Sequence, residues 1–513
     1  MTEKCKLILL DEVNCEFEDL PPSVRRECSD KLKFFIQAAR HTPAFKLGRW
    51  DGMIRYFHLN GSTYINLLDK VIPIIASHGI EIEIEDRRKV HQKFEFPTID
   101  NNFIVDNAPN CVWPKGHPHA GENIILRDHQ VKALNAFSEN LKSLGELSTS
   151  SGKTIISACM SLMCEKYGRT VVIVPNRDLV KQTYNDYNLL GLDVGVYFGG
   201  EHQTDRQHTI CTWQSLEAWV KKDKEEGTKT LQDFADGQVC VIVDEVHGAK
   251  ANSLQKLLSS IFKDVPIRWG ISGTIPKEDS TFYGILSVLG PIVESVTAKE
   301  LMDKKILSDC NINMIQMKDS VEFADYSEEH KYLVTDSYRL DWLSEVIKQI
   351  SKTGNTVVLY SRIETGEELL SRIPDALLVH GGISSKEREE SYKSINDSDN
   401  RIVLISSGVG AVGLNLPRIF NLILFEPGKS FVKVIQSIGR GIRKAKDKDH
   451  VEIFDISSTC KYSKRHLSSR KKLYDDAGYP YNVQKIDYHT QLSTGKIKVE
   501  VIQSKKETKE ISE

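Results

Sequence analysis

The segment Glu146–Thr154 reads ELSTSSGKT and ends in Gly-Lys-Thr immediately before the helical pattern IISACMSLM. An apolar run, a short loop and a helix in that order let backbone N–H groups wrap a phosphate, with the positive end of the helix dipole behind them. Lys153 would reach the β- and γ-phosphates of a nucleotide, and the Thr154 hydroxyl would lie on Mg²⁺. Leu147 stands where the spacing G-x-x-x-x-G-K-[ST] has its first glycine. The loop by itself therefore leaves two readings, a nucleotide site and a lysine at the start of an ordinary helix.

The run VCVIVDEVHG decides between them. It places Asp244 and Glu245 at the end of an apolar strand, where two carboxylates are costly to bury unless something binds them. In a phosphate-loop fold, one such acid holds Mg²⁺ and the next polarises the attacking water. The two motifs together point to ATP hydrolysis, with Lys153 and Glu245 in the chemistry and Thr154 and Asp244 on the metal. Farther along, QSIGRGIR puts Arg440 and Arg443 three apart on one face of a helix, with Gln436 in register. Guanidinium groups brought to a γ-phosphate from a second domain stabilise transition-state charge.

These residues need elements to hold them. Short β-branched runs alternate with helical stretches, as in TVVIV, VCVIV and IRWGIS, then again in TVVLY, ALLV, IVLI, LILF and VEIF. Continuous apolar strands between helices predict parallel sheets covered on both faces, hence two α/β domains. In residues 50–67, two apolar-aromatic runs flank Asn60-Gly61, which predicts a hairpin, and 71–78 reads as a helix. The first part of the chain is therefore a small α+β unit. The expected boundaries are 1–96 for this accessory unit, 97–120 for a linker rich in Pro, Asn, Gly and His, 121–300 and 301–478 for the two α/β domains, and 479–513 for a partly disordered extension.

The chain has 513 residues, a formal net charge of −3 and ten scattered cysteines with no C-x-x-C. That composition predicts neither a zinc site nor a disulfide framework. It also carries no global basic signature, so a nucleic-acid partner would be held by local patches. No apolar run reaches the length of a membrane span and no signal peptide is legible at the start, so the expectation is a soluble, cytoplasmic protein with no membrane partner.

Further segments stand in an ordered series: Arg127 and Gln130 in LRDHQ, then VPNR at 174–177, TWQS at 212–215, Ser272-Gly273-Thr274, SSGVGAVGLNLP at 406–417 and QSIGRGIR at 436–443. With Asp-Glu-Val-His, this series resembles the superfamily 2 helicases over about residues 121–475. The resemblance implies an α/β fold of two tandem RecA-like parallel-sheet domains behind the small N-terminal α+β domain. It implies that Arg127, Gln130, Ser150, Ser151, Gly152, Lys153, Thr154, Gly413 and Asn415 bind ATP. It implies that Lys153, Glu245, Gln436, Arg440 and Arg443 are catalytic, and that Ser272, Thr274 and His247 couple hydrolysis to movement. Backbone contacts to nucleic acid would come from Pro175, Asn176, Arg177, Gly199, Thr212, Gln214, Arg362 and Ser406. Gly273 replaces the central alanine of Ser-Ala-Thr, and Asn415 stands where many members carry aspartate.

Within that superfamily the chain is similar to the recombination helicases of T-even phages, a likeness that extends to FKLGRWDGMIRY at 45–56. It implies a DNA helicase of 3′-to-5′ polarity acting on branched DNA in recombination and repair, working as a monomer with possible recombination or single-strand-binding protein partners. Alternatives are an RNA helicase and a nucleic-acid-binding scaffold that binds ATP without productive unwinding. Arg49 and Trp50 combine charge with a ring, which suits backbone attraction and stacking, and equally suits a hairpin core with a solvated edge. The basic stretch 461–472, KYSKRHLSSRKK, fits both the exit of a DNA track and a solvated helix face.

Overall fold

A computed structural model describes residues 3–113, 119–246, 251–275, 279–410, 418–428 and 448–499. The chain divides into two compact units, one of residues 1–147 and 152–296 and the other of residues 148–151 and 297–513.

The first unit opens with six short strands: β1 (Lys4–Leu9), β2 (Asn14–Glu18), β3 (Lys33–Phe35), β4 (Met53–Arg55), β5 (Ser62–Tyr64) and β6 (Glu81–Asp86). Four of them form a sheet in the order β5-β2-β1-β6. Helices Pro22–Lys31 and Leu68–Ser77 cover it, burying Val24, Cys28, Val71 and Ile75 with Leu7 and Phe17 from the strands. The expected helix at 71–78 is thus present, starting three residues earlier.

The expected hairpin around Asn60-Gly61 is not. The two residues do make a tight turn, with Gly61 at φ +98° and its N–H donating to the His58 carbonyl at 2.9 Å. Its flanks go to different sheets, however: β4 pairs with β3 and β5 pairs with β2. Earlier strands compete for both flanks and win. Gly61 is fixed by that outcome, because a Cβ there would sit 2.3 Å from the Phe17 carbonyl oxygen of β2.

The described part of the expected linker, 97–113 and 119–120, carries structure of its own. It contains the helix Phe103–Asn107, and Ile99, Phe103, Ile104 and Cys111 are buried. Single anchors such as the Ile99 N–H donating to Asn135 Oδ1 at 2.9 Å hold it down. Isolated anchors leave no periodicity to read in the sequence.

Eight strands follow among the described residues: β7 (Lys142–Leu147), β8 (Arg169–Val174), β9 (Val194–Phe198), β10 (Glu201–His202), β11 (His208–Thr212), β12 (Gln238–Asp244), β13 (Ile267–Ser272) and β14 (Ile292–Val296). Their order is β10-β9-β11-β8-β12-β13-β7-β14. Every pairing is parallel except β9 with β10. In register, Thr212 faces Val174 and Asp244 faces Ile271, so the carboxyl ends of the central strands reach one edge together. In open parallel sheets that edge is where ligands bind.

The N-terminal sheet is docked on this domain. Val13 belongs to the domain's own hydrophobic core, and Leu286 of the domain belongs to the core of the N-terminal sheet. The Tyr56 hydroxyl donates to the Ser280 carbonyl at 2.6 Å, and the Phe34 and Tyr283 rings stack at 4.4 Å.

The second unit has β15 (Asp309–Met317), β16 (Thr356–Tyr360), β17 (Leu377–Val379), β18 (Ile402–Ser406), β19 (Asn421–Phe425), β20 (His450–Ser458) and β21 (Tyr481–Ile486). Their order is β17-β18-β16-β19-β20-β15-β21, parallel throughout. The strand β21 falls in the stretch expected to be an extension beyond 478. It pairs with β15 from Ile312↔Tyr481 to Met317↔Ile486, and Tyr488 behind it is buried. Half-exposed YNVQKI on a sheet edge lacks the apolar run that marks the central strands. Among the described residues, no helix is long and apolar enough to cross a membrane.

Candidate nucleotide site and nucleic-acid face

The loop after β7 turns through Ser150 at φ +68° and Gly152 at φ +86°, both in the left-handed region, and the helix Lys153–Cys164 starts directly behind them. A glycine suits such a position because it has no Cβ to clash. Here there is a second reason, since a Cβ on Gly152 would meet Gln130 Nε2 at 2.2 Å. Gln130 is buried, and its Oε1 accepts the Arg127 N–H at 2.9 Å. The segment Arg127–Gln130, expected to bind ATP, is thereby pressed against the phosphate loop.

Lys153 extends to Glu245, with Nζ 3.2 Å from Oε1 and both side chains largely buried. Glu245 itself adopts φ +50°, a left-handed conformation that a side-chain-bearing residue reaches only under local constraint. Asp244 Oδ1 accepts the Glu245 N–H at 2.8 Å. Burial pushes the Asp244 carboxyl up to about 7, the adjacent Glu245 charge adding to the effect and Lys153 opposing it. Two enclosed carboxylates against one lysine leave a surplus of negative charge, which a divalent cation satisfies. Asp244, with Thr154 next to Lys153 in the chain, therefore suits Mg²⁺ beside a nucleotide, and Lys153 suits its terminal phosphates.

Glu245 also lies 3.5 Å from the Ser272 hydroxyl and the Gly273 N–H. The Ser272 hydroxyl donates to the Thr274 carbonyl at 2.7 Å. The expected coupling residues at 272 and 274 thus sit beside the expected catalytic acid, at the end of the adjacent strand β13.

The predicted nucleic-acid contacts of the first unit converge at the same sheet edge. Asn176 caps the helix Arg177–Leu189 through the Leu179 N–H at 3.0 Å, and Thr212 caps Trp213–Glu226 through the Ser215 N–H at 3.2 Å. Gln214 Nε2 donates to the Pro175 carbonyl at 3.1 Å and ties the two segments together. Gly199, at φ +57°, lies under the Arg177 guanidinium. In the second unit, Arg362 immediately precedes the helix Ile363–Arg372 without a side-chain capping bond, and Ser406 ends β18 opposite Tyr360 of β16.

Arg49 is exposed in a loop of the N-terminal part. Trp50 beside it is half-buried, with Nε1 donating to the Met53 carbonyl at 3.0 Å, so its ring braces its own loop. His247, Gly413, Asn415, Gln436, Arg440 and Arg443 lie outside the described residues.

Two structural supports of the first unit had no sequence signal. Glu146 Oε1 accepts the Ile275 N–H at 3.3 Å, holding the end of the coupling segment to β7. Arg268, read as one position of an apolar strand, is fully buried and donates to the carbonyls of Leu258, Phe262 and Val288 at 2.6–2.8 Å. Burial brings its pKa down to about 10, with Asp11 and Glu12 opposing.

Comparison with known proteins adds two family matches. Residues 123–277 match the family described as type III restriction enzyme, res subunit, and residues 338–445 match the helicase conserved C-terminal domain. The chain is 24% identical over 476 residues to the ATP-dependent DNA helicase UvsW of Enterobacteria phage T4, covering 88% of this chain and 91% of that protein. It is 25% identical over 373 residues to the putative ATP-dependent helicase IRC3 of Saccharomyces cerevisiae, covering 65% of this chain and 51% of that protein. Among solved structures, a fragment of a putative HsdR subunit of a type I restriction enzyme from Vibrio vulnificus YJ016 shares the fold. Its TM-score is 0.53 at 14% identity, over 92% of this chain and 85% of that one.

Proposed function

We propose that the chain, a superfamily 2 helicase that hydrolyses ATP and has two RecA-like domains, is a DNA helicase or translocase acting on branched DNA. Its tasks are branch migration, fork regression and R-loop unwinding in recombination and repair. The observation that carries the reading is the enclosed set Lys153, Asp244 and Glu245, together with a likeness to a phage DNA helicase that spans both chains almost end to end. All ten cysteines are free thiols, which suits a reducing cytoplasm. The protein works as a monomer, and recombination or single-strand-binding proteins are candidate partners.

Lys153 binds the β- and γ-phosphates of ATP, and Gln130 with Arg127 lies against the loop on the side where the base enters. Thr154 and Asp244 hold Mg²⁺, which when bound neutralises phosphate charge during transfer. Glu245 orients the attacking water and accepts its proton. Arg440 and Arg443 supply positive charge to the γ-phosphate, and Gln436 supplies a neutral hydrogen-bonding amide beside them. Asn176, Arg177, Thr212, Gln214, Arg362 and Ser406 meet phosphate and sugar, contacts that carry no base preference and suit a motor stepping along any sequence.

ATPase and unwinding measured side by side on forked duplexes, four-way junctions, RNA–DNA hybrids and single-stranded RNA test the proposal. Stimulation by branched DNA is expected. Strong stimulation by single-stranded RNA with none by branched DNA would replace it with an RNA helicase. An Arg443→Ala protein is expected to bind ATP and turn it over slowly.

A further inference from the structure

In the second unit, the carboxyl ends of β15 and β20 open into a cleft of about 710 Å³. One wall is the segment Asp319–Phe323. The other is the start of the helix Lys461–Ala477, which contributes Lys461, Lys464, Arg465 and Ser468. The spacing i, i+3, i+4, i+7 puts these four on one helix face.

The basic stretch divides by depth. Arg470 points inward, 1% exposed, where it pairs with Asp455 at 2.7 Å and donates to the Gly428 carbonyl at 2.5 Å. It is structural. Lys461, Lys464 and Arg465 are exposed, and none of them has an ion-pair partner among the described residues. The helix end itself is occupied, because the buried Glu329 carboxylate accepts the Tyr462 N–H at 3.0 Å and the Ser463 N–H at 2.6 Å. Attraction for an anion in this cleft therefore comes from the three side chains.

Two carboxylates share the cleft. Asp319 is taken by Arg339 and by the Tyr488 hydroxyl at 2.8 Å, with its side chain fully buried. Glu322 is exposed at the rim, one free acid against three cations. The wall opposite the cations carries Val321, 44% exposed, and Phe323, whose ring packs on Tyr332 at 5.1 Å. Cations on one side and an apolar, partly aromatic wall on the other suit a charged backbone with flat bases.

A chain of side-chain contacts links the helix that lines the cleft to a predicted contact of the motor. The Ser361 hydroxyl, next to Arg362, lies 3.2 Å from His330 Nε2. The His330 ring packs on Tyr326 at 5.5 Å, and Tyr326 packs on His466 at 5.0 Å. His466 follows Arg465 on the same helix.

We propose that the cleft between Asp319–Phe323 and the face Lys461–Lys464–Arg465 is a seat for a single nucleic-acid strand, its phosphodiester backbone on the three cations and its bases toward Val321 and Phe323. This rests on the helicase reading above and extends its contact track beyond Arg362 and Ser406.

The test uses the full chain and mixed-sequence single-stranded DNA and RNA oligonucleotides, with affinity measured across a salt series. The triple variant Lys461→Ala, Lys464→Ala, Arg465→Ala is expected to bind at least about tenfold more weakly at low salt. Its slope of log affinity against log salt is expected to fall by about 2, as three lost single-strand phosphate contacts require. Phe323→Ala is expected to weaken binding with the slope unchanged. Equal losses for DNA and RNA identify backbone recognition, and a loss confined to one polymer identifies that polymer as the occupant. A triple variant with the wild-type slope and affinity on both polymers overturns the inference while leaving the helicase reading intact. Wild-type protein whose ATPase responds to no nucleic acid overturns both. The unfolding midpoint of each variant reports its integrity, and the single exposed change Lys464→Glu repeats the test if the triple variant is destabilised.

Discussion

Glu12 Oε2 and Lys142 Nζ meet at 2.7 Å, joining the turn between β1 and β2 to the first residue of β7, and both are largely buried. Lys142 also donates to the Glu12 carbonyl, and Arg88 reaches the same carboxylate at 3.5 Å. Burial lowers the Lys142 pKa, with Glu12 acting against that. Removing one partner strands a buried charge, which costs about 3–5 kcal/mol. Glu12→Gln is therefore expected to lower the stability of the first unit by roughly 3 kcal/mol in urea unfolding. Adding Lys142→Met should recover much of that, and a double variant no more stable than the single would contradict the pairing.

Lys153 and Glu245 share the same enclosure and are expected to fail differently. Lys153→Ala removes the charge that meets the terminal phosphates, so hydrolysis should be abolished and nucleotide binding weakened. Glu245→Gln keeps shape and hydrogen bonding, so nucleotide binding should persist while kcat falls by about 10²–10⁴. Steady-state ATPase and fluorescent-nucleotide titration separate the two. Unchanged turnover in Glu245→Gln would remove Glu245 from the chemistry.

Gly152→Ala is expected to reduce nucleotide affinity at least about tenfold, from a left-handed backbone costing about 1–2 kcal/mol for a residue with a Cβ and from collision with Gln130 Nε2. Truncating Gln130 to Ala in the same chain should remove the collision and leave the strain. Full recovery in the double variant would show that the backbone conformation at 152 is not demanding.

His330 is pushed below its usual 6.5 by burial, with the Arg362 charge adding to it. The folded state then binds fewer protons than the unfolded chain in the window just below pH 6.5. The stability the neutral ring contributes is present above 6.5 and is lost as pH falls through the folded-state value. The unfolding midpoint of the second unit should drop on acidification through that window, and His330→Gln should flatten the drop. An identical pH profile in the variant would refute the assignment.

What was legible in the sequence was local. Gly-Lys-Thr and Asp244-Glu245 each announce themselves within one strand–loop unit, and the structure brings Lys153 and Glu245 to 3.2 Å. The central strands were legible because burial on both faces leaves continuous apolar runs. The strand β11, HTICT, was not, because its polar members are satisfied by partners far along the chain. His208 Nδ1 lies 2.7 Å from the Thr170 hydroxyl and its Nε2 lies 2.9 Å from Glu165. The fit of Gln130 against Gly152 was likewise invisible, since neither residue carries its partner's position. Asn60-Gly61 predicts a turn correctly and says nothing of which strands will claim its flanks.

Val13 seated in the core of the first RecA-like domain, and Leu286 seated in the core of the N-terminal sheet, have a mechanical meaning. The boundary expected near residue 96 falls inside one compact unit. Load placed on the N-terminal sheet passes into the β7 to β14 layer through interlocked side chains. A chain trimmed to begin after residue 96 would leave an open socket where Val13 fits, and the motor would lose part of its own interior along with its accessory.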